Sequence, residues 1–191
     1  MGVLALGHGA GGGVEAPDLL AARDAGLAAG FIVVRVEQPW RVRGRRVADA
    51  PARLDQAWRE VLAGLAPAGP LVVGGRSAGA RVACRTAREV GAVGVLALAF
   101  PLQPPGGTRP SRLPELQAPL VPRLVVQGAR DAFGVPEPEP DVTVHVVPGA
   151  DHAFAVRRTD ARTRAQVDDE VRAVVGAWLV AHAGRAGQTL T

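Results

Sequence analysis

Apolar residues fall into short, nearly continuous runs rich in Val, Ile and Leu, at residues 3–6, 31–36, 71–73, 93–98, 123–127 and 142–147. A strand covered on both faces has no reason to alternate with polar residues. Runs of this kind, separated by helical patterns, therefore predict a parallel sheet flanked by helices on both sides. The first helix is expected to open near Pro17, whose fixed φ suits a first turn, and to carry Leu19, Leu20 and Leu27 until Gly30 stops it. Leu54, Ala57, Trp58, Val61, Leu62 and Leu65 recur at helical spacing and predict a second helix over residues 51–65. A third is expected from Ser77 to Gly91. A last one spans residues 163–182, with Val167, Val171, Val174, Val175 and Trp178 on its inner stripe. Trp58 and Trp178 read as core anchors. Residues 100–122 hold many prolines and little periodicity, so they predict a loop with at most a short helix over residues 113–117. Long ordered loops in compact domains tend to be functional.

Length and composition narrow the picture. At 191 residues and 48% hydrophobic, the chain can bury one good core, so a single domain is expected over residues 1–184, with residues 185–191 as a flexible tail. The 24 Gly and 16 Pro are too many for a helical bundle and sit between the apolar runs as punctuation. The formal charge is +4 and the pI about 11.0, yet all 22 basic residues are Arg. A general preference for Arg explains the pI better than a polyanion site does. The densest cluster, Arg41, Arg43, Arg45 and Arg46, has only Trp40 beside it for stacking and no nucleic-acid motif around it, so it reads as a solvated loop. The single cysteine, Cys84, can form neither an internal disulfide nor a metal cluster and reads as a small core residue, which suits a reducing, cytoplasmic compartment. The apolar start lacks a basic flank and runs into Gly7-His8-Gly9, which suits a strand and not a signal peptide. No apolar run reaches the length of a bilayer span.

The chemistry concentrates around Ser77. A serine hydroxyl is a poor nucleophile unless a base takes its proton and the backbone exposes it sharply. An apolar strand leads into Gly75-Arg76-Ser77-Ala78-Gly79 and a helix follows at once, with the two glycines placed where side chains would collide in a tight strand-to-helix turn. The partners of such a serine follow from later strand ends, acid first and base second. Asp131 follows the run at residues 123–127, and His152 follows the run at residues 142–147. Asp151 is an alternative acid but is badly placed to bond the imidazole next to it. An oxyanion needs two donors. These are assigned to the backbone amides of Ala78, after the nucleophile, and of Ala10, in the glycine loop His8-Gly9-Ala10-Gly11-Gly12-Gly13. Trp40, Phe133, Phe154 and the proline-rich loop are expected to line an acyl pocket. The same glycine loop also matches G-x-G-x-x-G from Gly7 to Gly12, with Glu37 closing the next strand, and taken alone reads as a dinucleotide site. Against this, the helix waits until Pro17, and a dinucleotide fold has no use for Ser77, Asp131 and His152.

His8-Gly-Ala-Gly-Gly-Gly, Gly74-Gly-Arg-Ser-Ala-Gly-Ala-Arg, Phe100-Pro-Leu, Gln127-Gly-Ala-Arg-Asp131 and Gly149-Ala-Asp-His152 together resemble the small α/β-hydrolases similar to dienelactone hydrolase. The likeness is to the group that includes testis-expressed and histone-acetyltransferase-complex relatives, and it runs from Leu4 to about Leu179. It implies a minimal α/β-hydrolase fold with a mainly parallel sheet of about six strands, Ser77 as nucleophile, Asp131 as acid and His152 as base. The first two antiparallel strands and a cap after the sixth strand of the full fold are not expected here, which leaves the pocket open. The implied function is hydrolysis of a small ester, thioester or lactone by a monomer or homodimer, with no cofactor, metal, nucleic acid or membrane. Some relatives in the group look like protein-complex subunits, so a non-catalytic scaffold is the alternative, and a nucleotide-binding protein using the glycine loop is a third.

Overall fold

A computed structural model describes residues 1–183 apart from Pro105, Gly107 and Thr108, so the expected tail at residues 185–191 lies outside the described residues. All six apolar runs are strands: β1 (Val3–Gly7), β2 (Ile32–Val36), β3 (Leu71–Arg76), β4 (Gly94–Leu98), β5 (Arg123–Gly128) and β6 (Val142–Val147). They form one sheet in the order β2-β1-β3-β4-β5-β6, and each neighbouring pair is parallel. The helices are α1 (Pro17–Ala28), α2 (Pro39–Val42), α3 (Pro51–Leu65), α4 (Ala78–Thr86), α5 (Leu113–Gln117) and α6 (Arg164–Ala183).

Successive strand side chains point to opposite faces, and both faces are apolar here. Leu4, Leu6, Leu96, Leu98, Leu124 and Val126 meet α1 and α6 on one side. Val3, Ala5, Val73, Val95, Ala97 and Val125 meet α3, α4 and α5 on the other. The chain steps from β1 outward to β2 through α1, then returns to the far side of β1 and proceeds to β6. Parallel crossovers share one hand, so reversing the direction of travel moves the helices to the opposite face. The connections leaving β1 and β3 therefore diverge and open a crevice at the carboxyl ends of the sheet.

The structure adds one helix to the expected set and shortens another. The four-residue α2 is too brief to leave a periodic signal. Helix α4 stops at Thr86, and residues up to Gly91 form turns, with Gly91 at a positive φ of 66°. Leu27, expected on the packed stripe of α1, is 55% exposed. The α1 face that meets the sheet is built from Leu19, Ala21, Ala22, Ala25 and Gly26. These small residues let the helix close on Leu4, because a β-carbon at Gly26 would lie 2.7 Å from Leu4 Cδ2. Between β4 and β5 the described residues hold only the short α5 and its flanking loops, with no cap over the sheet. No described helix is long and apolar enough to cross a membrane.

A charge network fixes α4 against its neighbours. Arg81 donates to Glu115 of α5 from Nε (2.8 Å) and Nη2 (2.6 Å), and Arg85 donates to the same carboxylate from Nη1 (2.8 Å). Arg85 also grips Asp55 of α3 through Nε (2.9 Å) and Nη2 (2.6 Å). Burial pushes the Glu115 carboxyl up, but the hydrogen bonds and charges of Arg81 and Arg85 outweigh it and hold the group below its ordinary value of 4.5. A carboxyl lowered by folding stabilises the protein above the ordinary pKa and loses that contribution as pH falls through the lowered one. Glu115→Gln is therefore expected to reduce stability by about 1–3 kcal/mol at pH 7. In urea denaturation the gap between mutant and wild type should close on acidification; a gap that persists at low pH would contradict the network.

Candidate active site

Between the end of β3 at Arg76 and the start of α4 at Ala78 there is room for one residue, Ser77, at φ 52° and ψ −106°. A non-glycine residue rarely sits there, and the surroundings must impose it. Gly7, at the end of β1, imposes it. A β-carbon at Gly75 would lie 2.2 Å from the Gly7 carbonyl oxygen, and one at Gly79 would lie 2.1 Å from the same oxygen. Both ends of the turn thus rest on β1, and the Ser77 side chain is pushed out at the carboxyl end of the sheet. The glycine loop after β1 lies alongside: a β-carbon at Gly9 would be 3.2 Å from Ser77 Cβ.

Two loops bring the partners in. His152 Nε2 is 3.1 Å from Ser77 Oγ, and His152 Nδ1 is 2.8 Å from Asp131 Oδ2. With Nδ1–H donating to the carboxylate, Nε2 is left to accept the serine hydroxyl. The Asp131 side chain is fully buried, while the imidazole is a quarter exposed. Its Oδ2 also accepts from Gln127 Nε2 (2.7 Å), and its Oδ1 accepts from the Phe133 amide (2.9 Å). These bonds leave the carboxylate one orientation. Asp151, the alternative acid, is turned into its own loop, where Oδ1 accepts from the amides of Ala153 (2.8 Å) and Ala155 (2.9 Å).

Of the three aromatic residues expected to line a pocket, only Phe133 lies beside the site, with its ring centroid 4.4 Å from that of His152. Trp40 and Phe154 are corrections, since both are completely buried. Trp40 sits on the single turn of α2, whose Arg41 and Val42 face solvent, so its ring turns inward and meets His8 edge-on at 5.3 Å. Phe154 follows the Asp151 turn at a φ of 55° and points into the core against α1 and α6. Ala10 is exposed at the tip of the glycine loop. Ala78 opens α4, where the first amides have no acceptor within the helix.

Several polar residues that organise the site lie inside the quoted motifs without a role assigned to them there. His8 is fully buried; it accepts the Gln38 amide at Nε2 (2.9 Å), donates from Nδ1 to the Gly9 carbonyl (2.8 Å), and burial lowers its pKa so that it stays neutral. It ties the glycine loop to the end of β2. Gln127 is the polar last-but-one residue of a wholly buried strand, which is its sequence signal. Burial pushes the Cys84 thiol up to about 12, as suits a core residue. Glu37, the acid of the competing glycine motif, lies 3.6 Å from His8 Nε2 and 3.7 Å from Arg41 Nε. Arg43 and Arg45 share Asp49 and Arg41 lies near Glu37, so two carboxylates offset about half of the cluster's charge.

Comparison with known proteins agrees with this geometry. A family model described as an alpha/beta hydrolase domain matches residues 1–180. The chain belongs to the α/β-hydrolase family. Among solved structures, the hydrolase is similar to a lidless α/β serine hydrolase from Xanthomonas campestris, at TM-score 0.66 and 21% identity over 92% of this chain and 82% of that one. It is similar to Est1E of Butyrivibrio proteoclasticus, solved with ferulic acid bound, at TM-score 0.68 and 12% identity over 96% and 90%. An α/β serine hydrolase homologue from Coxiella burnetii matches at TM-score 0.67 and 18% identity over 93% and 85%. These identities speak for a shared fold. No curated protein sequence matches the chain.

The hydrolase turn makes a sharp stability prediction. Gly79→Ala should destabilise the protein by about 3 kcal/mol or more, because the new methyl meets backbone. Gly11→Ala, with nothing within 4 Å, should stay within about 0.5 kcal/mol of wild type. Equal urea midpoints for the two variants would refute the close contact with Gly7.

Proposed function

We propose that the protein is a serine hydrolase that cleaves a small ester, thioester or lactone through an acyl-enzyme. The observation that carries this reading is the convergence of two hydrogen bonds on one imidazole, 3.1 Å to the Ser77 hydroxyl and 2.8 Å to the Asp131 carboxylate. In this scheme Ser77 Oγ attacks the acyl carbon while His152 Nε2 takes its proton. Asp131 orients the ring and stabilises the imidazolium. The amides of Ala10 and Ala78 receive the negative charge on the tetrahedral oxygen, and the N-terminus of α4 adds its dipole. Collapse of this adduct breaks the bond to the leaving group, which departs with the proton from His152. Water then attacks the acyl-serine with His152 as base, releasing the acid and restoring the hydroxyl.

The likeness of the motif-bearing stretches to dienelactone hydrolase supports a small ester-like substrate. Phe133, packed on the imidazole, is the aromatic surface available to an acyl or leaving group. Neither a cofactor nor a metal has a part in this scheme.

Hydrolysis of short p-nitrophenyl esters tests it. Ser77→Ala should lower kcat by roughly four to six powers of ten. Undiminished turnover in that variant would end the proposal.

A further inference from the structure

The loop that carries His152 is held from several sides by arginine side chains. Arg162 Nη1 donates to the Pro148 carbonyl (3.3 Å), Arg130 Nε to Gly149 (2.8 Å), Arg130 Nη2 to Ala155 (3.4 Å) and Arg164 Nη1 to Ala153 (2.8 Å). Arg76 Nη2 donates to the carbonyl of His152 itself (3.1 Å). Arg76 differs from the others in two ways. It is the residue directly before the nucleophile, and its side chain is only 12% exposed.

The same guanidinium touches the third part of the site. Arg76 Nε lies 3.3 Å from Asp18 Oδ2, in the first turn of α1, and the Asp18 side chain is 2% exposed. A β-carbon at Gly12 would lie 3.6 Å from Arg76 Nη1, so the glycine loop passes over this group. Burial raises the Asp18 pKa and the Arg76 charge opposes it. A buried ion pair adds little stability over well-packed apolar side chains, because desolvation offsets the attraction. Stability alone therefore gives no reason for an ion pair at this point. Geometry does: a planar fork one residue from Ser77 sets the separation of the serine from the backbone of its base.

We propose that Arg76 is a positioning residue, which holds His152 in line with Ser77 by bonding the His152 carbonyl while anchored on Asp18. This rests on the serine-hydrolase reading above. The guanidinium is suited to the task because its charge lies 3.3 Å from Asp18, an ion pair without a hydrogen bond, while Nη2 of the same rigid plane donates to the His152 carbonyl. A lysine ammonium is a single point charge on a flexible stem and cannot fix both at once.

Two variants test the role on p-nitrophenyl butyrate, with melting temperature measured alongside. Arg76→Lys keeps a cation for Asp18 but loses the fork. Asp18→Asn combined with Arg76→Met removes both charges, so no carboxylate is left stranded. Both are expected to melt within a few degrees of wild type, to lose roughly ten- to a hundredfold in kcat, and to keep KM within about twofold, since a misplaced base slows chemistry and leaves binding intact. Wild-type kcat in the folded variants would overturn the positioning role while leaving the hydrolase reading in place. A wild-type protein with no turnover would overturn both.

Discussion

The carbonyl of Gly7 and the two glycines packed on it decide where everything else in the site can be. Neither Gly75 nor Gly79 has space for a β-carbon against that oxygen, so the end of β3 and the start of α4 both close onto the end of β1. A strand that must become a helix within one residue leaves that residue in a conformation it would not choose, and Ser77 takes it at φ 52°. The strain is sustained because the flanking segments are committed elsewhere: β3 to pairing with β1 and β4, and α4 to the ion pairs with Glu115 and Asp55. The turn also sets the position of the glycine loop, which leaves β1 directly after Gly7.

His152 and Asp131 depend on a different kind of force. Close packing brings their loops together, since Gly128 passes against the carbonyls of Ala150 and Asp151. Orientation within that contact comes from directional bonds: Gln127 and the Phe133 amide on Asp131, and arginine forks on the carbonyls around His152. This gives a local meaning to a composition with 22 arginines and no lysine. A loop that exposes several carbonyls is well served by side chains with several fixed donors, and the residues directly before Ser77 and directly before Asp131, Arg76 and Arg130, both reach it.

The strands, the helix at Pro51–Leu65 and the small helix at Leu113–Gln117 were legible because hydrophobic periodicity and proline placement are local signals. Ser77, Asp131 and His152 were legible as a set because each follows a strand in the order one architecture requires. Trp40 and Phe154 misled for a physical reason. An aromatic residue in a loop near a site can face the ligand or the core, and only the path of the backbone tells which. Arg76 stood in the serine turn, but its contact left no sequence signal, because its acceptor is a main-chain carbonyl 76 positions away, and every residue type offers one of those.

The central claim is that the folded chain holds Ser77 as an activated nucleophile. The most direct measurement is exposure of the native protein to a fluorophosphonate, followed by mass spectrometry of its peptides. A single phosphonyl adduct on Ser77, absent when His152 is replaced by Ala, is the result this account predicts. A folded protein that remains unlabelled, or that carries the adduct on another residue, would contradict it.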